Sequence, residues 1–378
     1  MSTSVSEPIS QTGGASESDQ ELVGALSQDA ALLHHQDATS SKASADSQGL
    51  TLHEYLTSVF KHQHIRKTSD YIPSSRVAYL VELAVDVGDQ VEDLVHLPSL
   101  VDCAHDLVGE QVFRDFNLTA EQIVDFKMVL RAHSLNIHTI CGERDVAYYY
   151  RYIYATHIAL VENIMDPKKT VSVHHGVTGD DPRNPPPVSL YFYPSMLSVA
   201  VKHPESLGSS TLQRVFSSRH PFPWDTDTSI PGGVFHFIWP GPDDELAPEV
   251  QGILEGYHHL VQNRQNFGIV TSYDYHLFLF RDPTLPNRLY VSRLYHSDDP
   301  DSSNPRKNAL YSSVCFMRVA TDPELREQFM KKIRSMEKGL YRAGYSKVPN
   351  IYDPSRGQVT SCVDQNNFPA PAAASALS

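Results

Sequence analysis

At 378 residues the chain is long enough to bury a sizeable core, and 40% hydrophobic against 20% charged residues excludes both a mini-protein and a wholly unstructured polymer. A formal charge of −14 argues against sequence-blind coating of nucleic acid, which needs net positive surface to release counterions. No run of about 18 apolar residues occurs, and Met1 to Asp19 is Ser-rich and acidic where a secretory leader is basic and then apolar. The expectation is an intracellular protein of cytoplasm or nucleus with no membrane partner.

From Met1 to Gly49 the composition is Ser, Ala, Gln and Gly, with seven carboxylates against the single cation Lys42. Too little apolar area is present to offset the entropy of ordering, so residues 1–49 read as a disordered acidic tail. Residues 50–166 read as a helical region. Val77, Leu80, Val81, Ala84 and Val85 recur at helical spacing, as do Leu100, Cys103, Ala104, Leu107 and Val108. Thr119-Ala-Glu-Gln122 has the form of a capping box, and Ile123, Phe126 and Leu130 carry the helix behind it to about His133. A further helix is expected from Glu143 to Ile164. It carries Tyr148, Tyr149, Tyr150, Tyr152 and Tyr154, read as core packing in preference to a platform for stacked bases.

After Pro167 proline clusters alternate with β-rich runs: Leu190 to Tyr193, Leu197 to Val201, Val234 to Trp239, Phe267 to Ser272, His276 to Arg281 and Arg288 to Arg293. One helix interrupts them, from Pro248 to Asn263. A last helix begins at a second capping-box pattern, Thr321-Asp-Pro-Glu324, and runs to a Gly344 stop. Residues 167–345 are therefore expected to form an α+β domain with a mixed sheet, and 346–378 a flexible tail.

Catalytic signatures are absent: no Walker loop, no G-x-G-x-x-G, no H-E-x-x-H, no G-x-S-x-G, no kinase catalytic loop. Among nineteen histidines, His62-x-His64, His174-His175 and His258-His259 invite a metal reading. Neighbouring helical residues point about 100° apart, so structural histidines are the expectation. Asp298-Asp299-Pro-Asp301 lacks the Gly and distal Glu of a calcium loop and reads as a solvated turn. Cys103, Cys141, Cys315 and Cys362 have no metal or disulfide spacing and read as free thiols. The last helix carries Arg326, Lys331, Lys332, Arg334, Lys338 and Arg342 against Glu324, Glu327 and Glu337, read as a wet face rather than a phosphate track.

The most informative stretch runs from Gly233 to Arg293. Gln251-Gly-Ile-Leu-Glu255-Gly256-Tyr257 leads into Asn266-Phe-Gly268-Ile-Val-Thr271-Ser-Tyr273, then into a strand ending at Arg281 and Leu289-Tyr-Val-Ser292. This order resembles a fungal PD-(D/E)xK nuclease-like module of the kind found beside fungal-type protein kinase domains. In those relatives a Pro-Asp strand precedes an E-x-K strand, followed by a helix with Gln and Gly-Tyr, a strand of the type Y-G-x-x-T-x-Y, and one ending in Arg. The resemblance spans Tyr191 to Ser292 and implies a restriction-endonuclease-like core.

An active member holds Mg²⁺ on two carboxylates beside a lysine. On this sequence Tyr193-Pro194-Ser195 takes the Pro-Asp place, while Phe237-Ile238-Trp239-Pro240 takes the E-x-K-P place. Ser195, Phe237 and Trp239 then leave the three roles vacant, which implies no cofactor and no cleavage. The reading is a non-catalytic nuclease-like fold acting as a binding or regulatory module for a protein, with nucleic acid a weaker partner. One alternative is a Mg²⁺-dependent nuclease whose carboxylates come from Asp225, Asp227, Asp243, Asp244, Glu245 or Glu249, with Asp243, Asp244 and Glu249 the nearest fallback ligands. Another is a scaffold related to the kinase-associated proteins, recruiting partners through its tails. Lys202, upstream of the strand assigned to E-x-K, does not fit its geometry.

Overall fold

The fold is described from a computed structural model covering residues 49–60, 62, 85–134, 140, 142–176, 189–194, 197–202, 233–236, 239, 248–299 and 301–342. Both expected tails lie outside these residues save Gly49, as do the helical pattern before Val85 and the Gly344 stop. The described residues, all from Gly49 onward, fall in one compact unit.

Its centre is an eight-stranded mixed sheet. The strands are β1 (Asp93–His96), β2 (Ser172–Gly176), β3 (Ser189–Tyr193), β4 (Leu197–Val201), β5 (Gly233–His236), β6 (Phe267–Thr271), β7 (Tyr275–Arg281) and β8 (Arg288–His296). They lie in the order β2-β3-β4-β6-β7-β8-β1-β5. Pairs β4/β6 and β1/β8 are parallel and the rest antiparallel. The expected α+β class thus holds as a mixed α/β arrangement.

β1 falls inside the stretch read as helical. Four residues are too few to show a period, and Leu94 and Val95 are buried on opposite faces, which hides the alternation. β2 also goes unread, because Ser172-Val-His-His-Gly176 lacks β-rich composition.

Helices cover both faces of the sheet. α1 (Leu52–Glu54) continues into a π-turn, Tyr55–Val59; α2 is Leu100–Val108, α3 Glu110–Arg114 and α4 Ala120–Ser134. A long helix follows as α5 (Glu143–Tyr150), a π segment (Arg151–Ala155) and α6 (Thr156–Met165). The last three are α7 (Pro248–Gln262), α8 (Ala309–Thr321) and α9 (Pro323–Arg342). The Thr119 capping box forms as read: Gln122 N donates to Thr119 Oγ1 at 3.2 Å and Thr119 N to Gln122 Oε1 at 2.9 Å.

At α9 the cap shifts by one residue. Asp322 Oδ1 accepts from Glu324 N and Leu325 N, while Thr321 closes α8 with its hydroxyl bonded back to Met317 O. Pro323 is suited to the first helical position, where its missing N–H costs nothing, so the aspartate before it becomes the cap. α8 has no counterpart among the helices read from sequence. All its residues but Arg318 and Thr321 are buried, so no polar face marks a helical period.

Strand alternation sorts the core into two layers. On one face Ala200, Val270, Leu277, Leu279, Leu289 and Val291 pack with Ile253, Leu254, Tyr257 and Leu260 of α7. On the other, Val199, Ile269, Phe278, Phe280 and Tyr290 pack with α2, α6, α8 and α9. β6 is buried on both faces, as a strand covered by helices on each side must be. Gly256 is what lets α7 lie close: a Cβ there would come within 2.6 Å of Val270 Cγ2 and 2.7 Å of Leu279 Cδ1.

Candidate functional site

The parallel strands β4 and β6, connected by a stretch that includes β5 and α7, end side by side. Lys202 N donates to Thr271 O at 2.8 Å. Ligand sites in open α/β sheets favour the carboxyl ends of parallel strands, where the chain turns away and side chains converge. Ala200 belongs to the layer under α7, so Lys202, two residues on, projects to the same side.

There the Lys202 ammonium, 5% exposed, pairs with Glu255 Oε2 of α7, and Glu143 Oε1 of α5 lies 3.5 Å away. Glu255 is itself 1% exposed, and its Oε1 makes no hydrogen bond. One helical turn further, His259 is 1% exposed with neither ring nitrogen hydrogen-bonded. Burial, reinforced by the charges of His258 and Lys202, pushes its pKa down to about 3, so the ring is neutral.

The turn after β6 completes the region. Ser272 Oγ is buried with no hydrogen-bond partner. Tyr273 is fully buried at φ +73°, a left-handed conformation costly for a bulky side chain. Its N–H donates to Thr271 Oγ1 at 3.0 Å, which holds the turn. Asp274 meets His62 Nε2 at 3.2 Å, and His62 Nδ1 lies 2.9 Å from Tyr154 Oη. Chemically the site is a carboxylate–ammonium–carboxylate cluster beside a neutral imidazole, walled by buried aromatic rings.

The residues named by the resemblance fall in several places. Glu255 enters the cluster. Gly256 and Gly268 are close approaches of backbone to neighbouring side chains; a Cβ at Gly268 would meet Leu260 Cδ2 at 3.1 Å. Tyr257 Oη donates to Pro286 O at 2.7 Å, and Arg281 pairs with Asp89 and donates to Pro286 O at 3.2 Å, so both tie α7 and β7 to the loop before β8. Thr271 and Tyr273 shape the turn.

Of the stretch Phe237-Ile238-Trp239 given the E-x-K place, Phe237 and Ile238 lie outside the described residues. β5, which precedes it, is the far edge strand, with β4, β6, β7, β8 and β1 between it and β3. The strand beside β3 is β4. Trp239 instead lies edge-on to Tyr257, with ring centroids 5.9 Å apart. Ser195, Phe237, Asp225, Asp227, Asp243, Asp244 and Glu245 lie outside the described residues, as do the side chains of Glu249 and Gln251.

Other sequence candidates prove architectural. Tyr149, Tyr150 and Tyr154 are core residues, Tyr150 and Tyr154 stacked at 5.4 Å. On α9, Lys331 pairs with Glu327, Lys332 with Asp106 and Arg334 with Asp282, so these cations are engaged within the chain. Asp299 Oδ1 accepts from Asp301 N, and Asp301 Oδ2 from Lys307, which makes that acidic stretch a closed turn. Cys103 and Cys315 are buried free thiols. Among the described residues no three of His, Cys, Asp and Glu converge as a ready metal group, and no helix is long and apolar enough to cross a membrane.

Reading from sequence missed Lys202, Glu143 and His259 as a cluster. One signal was available: Glu255 and His259 are four residues apart on an amphipathic helix, hence on one face. Compared with protein-family models, with curated proteins and with solved structures, the chain matches none.

Proposed function

We propose that the chain is a nuclease-like α/β module that acts by binding a protein or a nucleic acid and does not cut phosphodiester bonds. In chain order the elements run β3, β4, β5, α7, β6, β7; with β5 set apart on the far edge of the sheet, the remaining strands and helix parallel the strand–strand–helix–strand–strand order of the modules the sequence resembles. With β4 in the E-x-K place, Lys202 takes the position of the lysine and Ala200 that of the second carboxylate. The observation that carries the reading is Ala200, buried in the layer under α7 where a metal ligand would stand. A methyl group there and a hydroxyl at Ser195 give a hard divalent cation no carboxylate pair to sit on.

Incubation of the full chain with plasmid, single-stranded DNA and RNA in Mg²⁺ or Mn²⁺ should leave every substrate intact. EDTA-sensitive cleavage that disappears in Lys202→Met would overturn the reading. Titration of labelled single strands then separates the partner classes: saturable binding that weakens steeply with salt marks nucleic acid, and its absence marks a protein. A second reading, a Mg²⁺-dependent nuclease with helix-borne carboxylates, is favoured by Glu255 and Glu143 flanking Lys202. The same cleavage assay decides between them.

A further inference from the structure

On the α7 side of the sheet, α7 packs on β4, β6 and β7. Beyond them, on β3 and the edge strand β2, a row of rings reaches solvent. Tyr191 stands opposite Ser198, two residues before Ala200, so it and its cross-strand partner His174 share the face that α7 covers further in. Tyr193 follows on the same face, opposite Ser172. His174 is exposed and Tyr193 is 63% exposed. The His174 ring lies nearly parallel to Tyr191 with centroids 5.4 Å apart, and edge-on to Tyr193 at 6.3 Å. One exposed ring needs no explanation, but three contiguous rings make a platform.

Charge decides what such a platform takes. Across 163–176 the charged residues are Asp166, Lys168 and Lys169. Lys168 is exposed, and Lys169 pairs with Asp166 at 3.1 Å. The two lysines come four and three residues before Ser172, hence within about 14 Å of the strand position opposite Tyr193. Arg151 adds a third cation: its guanidinium reaches Val173 O at 3.5 Å and lies 5.7 Å from the Tyr152 ring. Three cations against one carboxylate reverse the sign of a chain whose net charge is −14. Open rings flanked by cations complement an unpaired nucleic-acid strand, whose bases stack and whose phosphates pair. Arg151 against the β2 backbone also blunts that edge for strand pairing, which favours a ligand lying on the rings over a peptide adding a strand.

We propose that Tyr191, Tyr193 and His174, with Lys168, Lys169 and Arg151, bind single-stranded nucleic acid by base stacking. The inference rests on the binding-module reading and names its partner. It uses a surface apart from the Lys202 cluster, since Tyr193 lies toward the start of β4 and Lys202 follows its end.

The test is fluorescence anisotropy of labelled single-stranded DNA and RNA of about 15 nucleotides with the full chain in EDTA. The wild type should bind saturably, log K falling against log salt with a slope of about −2, the value for three phosphates neutralised on a single strand. Tyr193→Ala, a change at an exposed side chain, should weaken binding about tenfold. Lys168→Ala should bring the slope to about −1.4. A duplex of the same length, whose bases are already stacked, should compete poorly. No saturable binding, wild-type affinity in Tyr193→Ala, a slope unmoved by Lys168→Ala, or equal competition by the duplex overturns the proposal. So does binding that is lost in Lys331→Ala, on α9, and kept in Tyr193→Ala. Because EDTA holds off metal-dependent cleavage, failure here leaves the binding-module reading to its own cleavage assay, with a protein as its partner.

Discussion

Two buried polar clusters lie in one molecule and are solved in opposite ways. Under α2 and α9, Arg293 makes hydrogen bonds to Asp102 at 3.2 and 3.3 Å and to Arg306 O at 2.5 Å, with its guanidinium 4.7 Å from the Tyr295 ring. Nearby, Glu337 accepts from both Arg288 and Tyr290, and Arg334 grips Asp282 with two nitrogens. Burial opposes ionisation of Asp282, yet the bonds from Arg334 and Thr284 outweigh it and hold its pKa below the usual carboxylate range.

Under α7, by contrast, Glu255 Oε1 and both ring nitrogens of His259 are left without a hydrogen bond. The α2/α9 network is the better connected, although Tyr295 Oη lacks a bond there too; the more bonds the desolvated groups recover, the more such a network secures architecture. A half-connected one is costly in the isolated chain and persists where a ligand or partner completes it. That difference makes the α7 side, and not the charge-rich α9 side, the candidate site.

The contrast is sharpest at Asp102. Asp102→Ala strands the Arg293 charge in the core and should lower stability by about 3–5 kcal/mol in chemical denaturation. A loss under about 1 kcal/mol would mean that the α2/α9 network is not the better-satisfied one.

Glu162 lies between these extremes. Thr321 Oγ1 donates to its Oε2 at 3.2 Å and Arg318 lies 3.5 Å away, but Oε1 is unbonded. Burial raises its pKa to about 7, against the counter-pull of Arg318 and Thr321. The folded state therefore holds a proton that the unfolded chain releases near the ordinary carboxylate value. Its contribution is full below about pH 4.5 and lost as pH rises through about 7, on the order of 3 kcal/mol across that window. Glu162→Gln should flatten the window, as read from unfolding midpoints against pH; an unchanged slope removes Glu162 as its source.

The smallest effect has the opposite sign. His259→Phe replaces an unbonded polar ring by an apolar one and should stabilise the protein by about 1 kcal/mol at neutral pH. The advantage should grow below pH 6.5. The buried His259, with its pKa of about 3, stays neutral there while the unfolded imidazole takes up protons, so the wild type loses stability down to about pH 3. A destabilised variant would show that His259 has a bonding partner in the folded chain.

Much of the fold was legible in local pattern. The strand Leu197–Val201 and the helix Leu100–Val108 stand where their periodicity placed them, and the Thr119 box forms as written. What escaped were elements without internal contrast. α8 is buried nearly all round, and β1 is too short for a period to show. The site was legible only in fragments: Glu255 was singled out within its motif, while Lys202 was set aside because it did not fit the E-x-K geometry of the strands then assigned.

Sequence by itself determined the propensities: which stretches are helical or extended, which face of each is apolar, and that no familiar catalytic signature is present. Those properties depend on neighbours a few residues away. Only the tertiary structure decided that β4 and not β5 lies beside β3, that Glu143 and Glu255 meet at Lys202, and that His259 is left without a bond. Strand pairing and side-chain convergence are set by contacts across long loops, and the spacing between residues in the chain carries no record of them.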